Sequence, residues 1–216
     1  ENPLYRLRET LVKYCPNGRI VSIPPHKYGP VHAVLQSIEW IALDEQVVIN
    51  YCDFTCYWDW DHFKDYVKEL GCAGAIPAYK GFHPHSLGST NYAYLKEDGG
   101  WVSGIQEKRP YTNNRMLEYA STGTYYFSSG HLMLKALKKA VQEEWSTGGE
   151  YYVSLAYQYL FSNNLPVAVY PIQYFMQWGT PDDLEEYVRW SESFKRLIQH
   201  RNVGFCDSLV VLMAGM

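Results

Sequence analysis

Apolar and polar positions alternate along this chain with two periods, and the switches between them outline its elements. Asn2-Pro3 has the form of a helix start, cap then proline, and Leu4, Leu7 and Leu11 line one face as far as Tyr14. Arg19–Ile23 is a short strand candidate, stopped by Pro24-Pro25. Val31, Val34, Leu35, Ile38, Ile41 and Ala42 recur at helical spacing. They lead directly into Val47–Tyr51, a run apolar on both faces and closed by Asp53, which reads as a strand buried in a parallel α/β sheet. Phe54–Asp61 reads as aromatic loop, Phe63, Tyr66, Val67 and Leu70 as a helix, and Ala75–Tyr79 as a strand in which Pro77 is awkward. A loop, Lys80–Thr90, follows.

In the second half, Tyr92–Leu95 and Trp101–Gln106 flank Glu97-Asp-Gly-Gly100, a hairpin signal. Ser121–Phe127 and Val167–Ile172 read as strands, with helices expected from about His131 to Glu144 and from about Glu150 to Phe161. Thr180-Pro181-Asp182-Asp183 opens a further helix with a cap, an N1 proline and an acidic third residue. Ser208–Met216 is apolar and strand-like. Strands alternate with helices, so the class is α/β.

Composition changes this picture little. The 216 residues suffice for one substantial core, and 19% charged against 47% hydrophobic is globular. A net charge of −4 with no basic run argues against a nucleic-acid binder, and no apolar run approaches a membrane span. The 20 tyrosines suit packing and ligand contact equally. Five cysteines, an odd number without a recognisable signal peptide, read as reduced thiols of a cytoplasmic protein.

Chemistry centres first on Asp53. In open α/β sheets ligands bind beyond the carboxyl ends of strands, and a carboxylate there can meet a hard cation and its phosphates; a turn cap is the equally weighted alternative. Asp59-Trp-Asp61 spells a DxD, but it stands just before a helix, where capping is the better reading.

The order of short motifs resembles the sugar-phosphate nucleotidyltransferases, or nucleoside-diphosphate-sugar pyrophosphorylases. Gly29-Pro-Val-His-Ala-Val34 is similar to the family's nucleobase-holding helix start, and Tyr51-Cys-Asp53 to its metal-binding strand end. Gln106-Glu-Lys-Arg-Pro110, Thr122-Gly-Thr-Tyr-Tyr-Phe127, Gly149-Glu150 and Phe175-Met-Gln-Trp-Gly-Thr180 follow in family order. A His-Pro-His loop, His83 to His85, is similar to that of capsule or lipopolysaccharide members.

The resemblance implies a Rossmann-like, three-layer, GT-A-like fold with a mixed, mainly parallel central sheet. It implies transfer of a nucleotidyl group from a nucleoside triphosphate to a sugar phosphate or similar acceptor, with release of pyrophosphate. Asp53 would hold Mg2+ as the catalytic metal ligand, and Gly29, Pro30 and Gly215 would bind the nucleotide. Glu107, Lys108, Gly123, Glu150, His83 and His85 would bind the acceptor. No nucleic acid or membrane partner is implied, and self-association stays open. A metal-dependent glycosyltransferase, favoured by the DxD, and a noncatalytic nucleotide-sugar-binding module are the alternatives.

The sequence departs from the family at two places. The second metal-binding Asp falls at Gln177, a weaker ligand for a hard cation. The family's opening strand and glycine-rich phosphate loop do not precede Glu1; their beginning is instead similar to Leu209–Met216. Residues 1–200 are thus expected to form a nucleotidyltransferase domain lacking its first βα unit. Residues 201–216 would belong to a second copy, a permuted chain or a truncated one. Leu209–Met213 should then lie parallel beside Val47–Tyr51, with Arg19–Ile23 as a further strand of the sheet, and the 216 residues alone should lack pyrophosphorylase activity.

Overall fold

The computed structural model of the chain describes residues 3–83 and 90–199. Helix α1 (Pro3–Tyr14) leads through an irregular segment to α2 (Pro30–Gln36), a 3-10 turn (Ile38–Trp40), and strands β1 (Val47–Asn50) and β2 (Phe54–Tyr57). Helix α3 (Trp60–Leu70) and β3 (Gly74–Tyr79) follow, then the hairpin of β4 (Ala93–Asp98) and β5 (Trp101–Glu107), β6 (Tyr119–Ser121) and β7 (Thr124–Phe127). The remainder is α4 (Gly130–Gln142), α5 (Val153–Ala156), α6 (Gln158–Ser162), β8 (Val167–Pro171), β9 (Tyr174–Gln177) and α7 (Pro181–Gln199).

Seven strands form one sheet in the order β1-β7-β3-β6-β4-β5-β8, and β8 also pairs with β3. Five strands, β3, β6, β4, β5 and β8, therefore close into a ring, with β7 and β1 extending from it. Among the described residues the parallel pairing is β3 with β8; the others are antiparallel. This corrects the expected Rossmann-like three-layer fold with a mainly parallel sheet.

The misreading has a physical source in β1. Its apolar run does reflect partial burial on both faces. Val47 and Ile49 pack with the cluster that includes Met133, Leu137 and Leu160, and Val48 packs with Phe63 and Val67 of α3. Double-sided burial does not specify strand direction, however, and β1 pairs antiparallel with β7, Val47 opposite Phe127.

Local departures follow the same logic. Arg19–Ile23 forms no strand and joins no ladder among the described residues, and the expected helix 31–42 shortens to α2 and the 3-10 turn. Part of the loop at 54–61 is β2, paired with β9, and the single helix expected from Glu150 is the short pair α5 and α6. Pro77 sits inside fully buried β3 because its missing N–H falls at a gap in the ladder. Strand β3 pairs with β7 at Gly74 and Ala75 and with β6 at Ala78 and Tyr79, so Pro77 lies opposite the Thr122-Gly123 break. There its carbonyl accepts from Thr122 N and Oγ1, both at 3.1 Å. The supposed strand Leu209–Met213, its predicted neighbourhood and residues 201–216 lie outside the described residues.

Candidate active site

Two rims are built where the seven-stranded sheet hands over to the small β2–β9 pair. The first carries Asp53. Beyond β1 the chain turns at Cys52-Asp53, with Tyr51 N donating to Gly123 O at 3.0 Å, and continues as β2 in the second sheet. Phe54 lies opposite Gln177, and Trp178 N donates to Asp53 O at 2.7 Å. The exposed Asp53 carboxylate faces Gly179 so closely that a Cβ added there would lie 3.1 Å from Oδ2.

Gln177 is locked by its neighbours. Its Nε2 donates to Asp183 Oδ1 at 2.5 Å, while Asp183 Oδ2 accepts from Thr180 N at 2.9 Å and Thr180 Oγ1 from Asp183 N at 3.1 Å. This reciprocal cap explains how the Thr180 sequence starts α7. It also orients the amide, because a flipped Gln177 would set oxygen against carboxylate oxygen. Gln177 Oε1 is left buried and unpartnered among the described residues.

No group of three or more His, Cys, Asp or Glu side chains is placed to hold a metal among the described residues. The single exposed Asp53 carboxylate fits a Mg2+ ion that arrives with phosphates, since such ions take one or two protein carboxylates and keep other oxygens from substrate and water. It does not fit an all-protein cage.

His83 stands behind this rim. Its Nε2–H donates to Phe175 O at 2.9 Å, and the ring lies against Tyr79 and Phe175, both at 5.4 Å between centroids. Burial pulls its pKa down against the Phe175 bond and the nearby Glu186 and Asp183 carboxylates. Tyr92 is pushed up, by burial first and then by Asp183 and Asp53. His85 and Gly215 lie outside the described residues.

The second rim gathers Glu107, Lys108 and Glu150. Glu107 closes β5 and accepts from the fully buried Ser154 hydroxyl at 2.5 Å. Burial raises its pKa, opposed by Ser154 and Lys108. Lys108 has φ +56°, a left-handed conformation uncommon for a residue with Cβ, and both its backbone groups are fixed. Its N–H donates to Tyr92 O at 2.9 Å, and its carbonyl accepts from Thr90 Oγ1 at 2.8 Å. Lys108 Nζ donates to the Tyr152 hydroxyl at 2.7 Å, which in turn donates to Glu150 Oε2. Glu150 is presented by a turn in which Thr147 and Glu150 bond each other's backbone at 3.0 and 3.1 Å.

Glycines fasten the pieces. Gly29 has φ +82° and ψ −178°, and a Cβ there would meet Tyr151 N and O at 2.9 Å and Glu150 Cβ at 3.1 Å. Its bareness is used by the 150–151 backbone. Tyr151 N donates to Tyr28 O at 2.9 Å and Val31 N to Tyr151 O at 3.1 Å, so Gly29-Pro30 and the start of α2 dock against Glu150. Gly123, with φ +91°, lets Tyr51 and Phe54 approach; a Cβ would lie 3.1 and 3.2 Å from their rings. The Tyr51 hydroxyl accepts from Val153 N at 3.3 Å, joining the Asp53 turn to the second rim.

Asp53 and Gly123 therefore share the first rim, and Gly29, Pro30, Glu107, Lys108 and Glu150 the second, with His83 set back by Phe175. The DxD lies elsewhere. Asp59 caps α3 by accepting from His62 N at 2.9 Å, and Asp61 pairs with Lys64 at 2.7 Å on the surface. Sequence reasoning missed Tyr51, Tyr152, Ser154 and Asp183 as parts of the site. Asp183 had a signal in its place three residues after Thr180, and Tyr51 stood in the Tyr51-Cys-Asp53 motif without a role of its own.

Comparison with known proteins adds a fold likeness. No protein-family model matches the sequence, and no curated protein matches it. Among solved structures, the nucleoside-diphosphate-sugar pyrophosphorylase from Vibrio cholerae RC9 is similar, with a TM-score of 0.67. The match covers 87% of this chain and 78% of that one at 18% identity. The likeness is one of fold. Among the described residues, no helix is long and apolar enough to cross a membrane.

Proposed function

We propose that the chain is a nucleotidyltransferase that joins a nucleoside triphosphate to a sugar phosphate or similar phosphate acceptor. The observation that carries this reading is the gathering of Glu107 and Lys108 with Glu150, some forty residues further on, into one rim tied through Tyr51 to the turn bearing Asp53. The likeness to a nucleoside-diphosphate-sugar pyrophosphorylase supports it at the level of fold.

In the proposed reaction an acceptor phosphate oxygen bonds to the α-phosphorus of the triphosphate as the bond from that phosphorus to the bridging oxygen breaks, and pyrophosphate leaves with the electron pair. The substrate is its own nucleophile, so the protein's task is alignment and charge neutralisation. Glu107 and Glu150 would accept hydrogen bonds from acceptor hydroxyls, and the Lys108 ammonium would face the phosphate. Asp53 would hold Mg2+, which supplies charge neutralisation at the phosphates when bound.

The test is pyrophosphate release by the full-length protein from a nucleotide panel offered with hexose 1-phosphates and magnesium. Release with at least one pair is expected; silence with every pair overturns the reading. Asp53→Asn should lower the rate by about a hundredfold or more with unchanged melting, on the scale of losing a main transition-state contact. Asp59→Asn and Asp61→Asn should change it little, as cap and surface-pair residues. The opposite ranking would return the DxD to the centre of the chemistry.

A further inference from the structure

Lys108 stands between two glutamates, yet among the described ion pairs none joins its ammonium to a carboxylate within 4.0 Å. A neutral oxygen takes that place. Lys108 Nζ donates to the Tyr152 hydroxyl at 2.7 Å, and the hydroxyl passes its own proton towards Glu150. The Tyr152 ring also lies under the ammonium, 4.7 Å from centroid to Nζ. We propose that Tyr152 is a positioning residue, a spacer that holds the Lys108 ammonium and the Glu150 carboxylate at fixed separation so that both remain available to a phosphate-bearing acceptor. This rests on the nucleotidyltransferase reading.

The chemistry of the three groups makes the spacer work in one direction. A phenol is both donor and acceptor, an ammonium donates three hydrogen bonds and a carboxylate accepts only. Tyr152 therefore consumes one donor of Lys108 and one acceptor site of Glu150. A direct Lys–Glu pair would neutralise both charges against each other and leave a weaker field for an incoming phosphate. Burial works against the Lys108 charge, but Tyr152, Glu107 and Glu150 outweigh it and hold the ammonium above the ordinary lysine value. Tyr152 stays protonated because burial and Glu150 raise its pKa against the pull of Lys108.

The backbone supports the same assignment. Lys108 is kept in its left-handed conformation by hydrogen bonds at both N–H and carbonyl, so its stem leaves β5 in a set direction. Tyr152 is fixed from the other side. Its neighbour Tyr151 is clamped by Tyr28 and Val31, and Val153 N by the Tyr51 hydroxyl. Strain held this firmly at a charged residue is the kind found where a side chain must be aimed.

The experiment removes one oxygen. Tyr152→Phe keeps the ring, so the melting temperature should be retained. Binding of glucose, galactose and mannose 1-phosphates is measured by calorimetry, and the Lys108 midpoint by NMR of its labelled ε-carbon. For the best-binding sugar phosphate, Tyr152→Phe should weaken affinity about tenfold, the scale of one hydrogen bond to a charged group. The Lys108 midpoint should rise as the ammonium closes directly on the Glu150 carboxylate, a change that loss of packing alone would not produce. Lys108→Met should weaken binding, and adding Tyr152→Phe to it should weaken it no further, because the tyrosine acts through the lysine.

Additive losses, an unmoved or lowered Lys108 midpoint, or unchanged affinity in Tyr152→Phe would each overturn the spacer role while leaving the nucleotidyltransferase reading in place. Failure of the wild-type protein to bind any of the three sugar phosphates would overturn the acceptor reading and this role together.

Discussion

The two rims of the candidate site hold their charged side chains in opposite ways. At Glu107, Lys108 and Glu150 each charge already has a protein partner, and the groups sit half-buried or deeper among tyrosines. At Asp53 the carboxylate is exposed and faces Gly179, the glycine that also stands against Asp183. The first is organised before any ligand arrives. The second has an acceptor surplus that a cation would complete. Preorganised hydrogen bonds suit the recognition of a fixed, uncharged sugar ring, whereas an open carboxylate suits a metal that comes and goes with its phosphates.

The largest test of this contrast is Gly29→Ala. Its φ and ψ belong to a region open essentially to glycine alone, and the new Cβ would collide with the 150–151 backbone. Denaturant melts should show a loss of about 2–3 kcal/mol, with the Glu150 side displaced and the Asp53 side unaffected. A stability within error of wild type would mean that the organised rim is looser than its geometry indicates.

Gln177→Glu probes the open rim. An oxygen replaces the nitrogen that now donates to Asp183, so two carboxylates meet and one must take a proton or move away. The melting temperature should fall by the equivalent of about 1–2 kcal/mol without divalent metal and recover when Mg2+ is added. Failure of Mg2+ to restore it would remove the argument that this rim is poised for a cation.

Glu107→Gln gives the smallest effect, read in pH. Burial raises the folded-state pKa of Glu107 above its unfolded value, so the folded protein holds this proton more tightly. Its contribution to stability is full below the ordinary carboxylate pKa of about 4.3 and is lost as pH rises through the higher folded value. Glu107→Gln should flatten that limb of the stability profile, measured by melting across the weakly acidic range. An unchanged profile would show that the Ser154 and Lys108 contacts cancel the cost of burial.

Much of this was legible in local patterns. The α3 cap at Asp59, the hairpin glycines and the cap-proline-acid start of α7 follow from local backbone chemistry, and they formed as the residues specify. Motif order brought out Glu107, Lys108 and Glu150, which do gather. Tyr152 and Ser154 were not legible, because a tyrosine two residues after a glutamate has no spacing that marks it as a bridge. Its role exists only once the end of β5 comes alongside the turn at 147–150.

The sequence by itself determined which segments are buried on both sides, where the helices begin, and that Asp53 ends an apolar strand. Those properties depend on side-chain chemistry and on contacts a few residues apart. The tertiary structure alone decided the direction of pairing, the closure of five strands into a ring through β3 and β8, and the use of Gly29 by a protein backbone. Strand direction depends on which distant ladder satisfies the backbone donors and acceptors. An apolar run hides its hydrogen-bonding partner, since Val47–Asn50 would present the same side chains to either orientation.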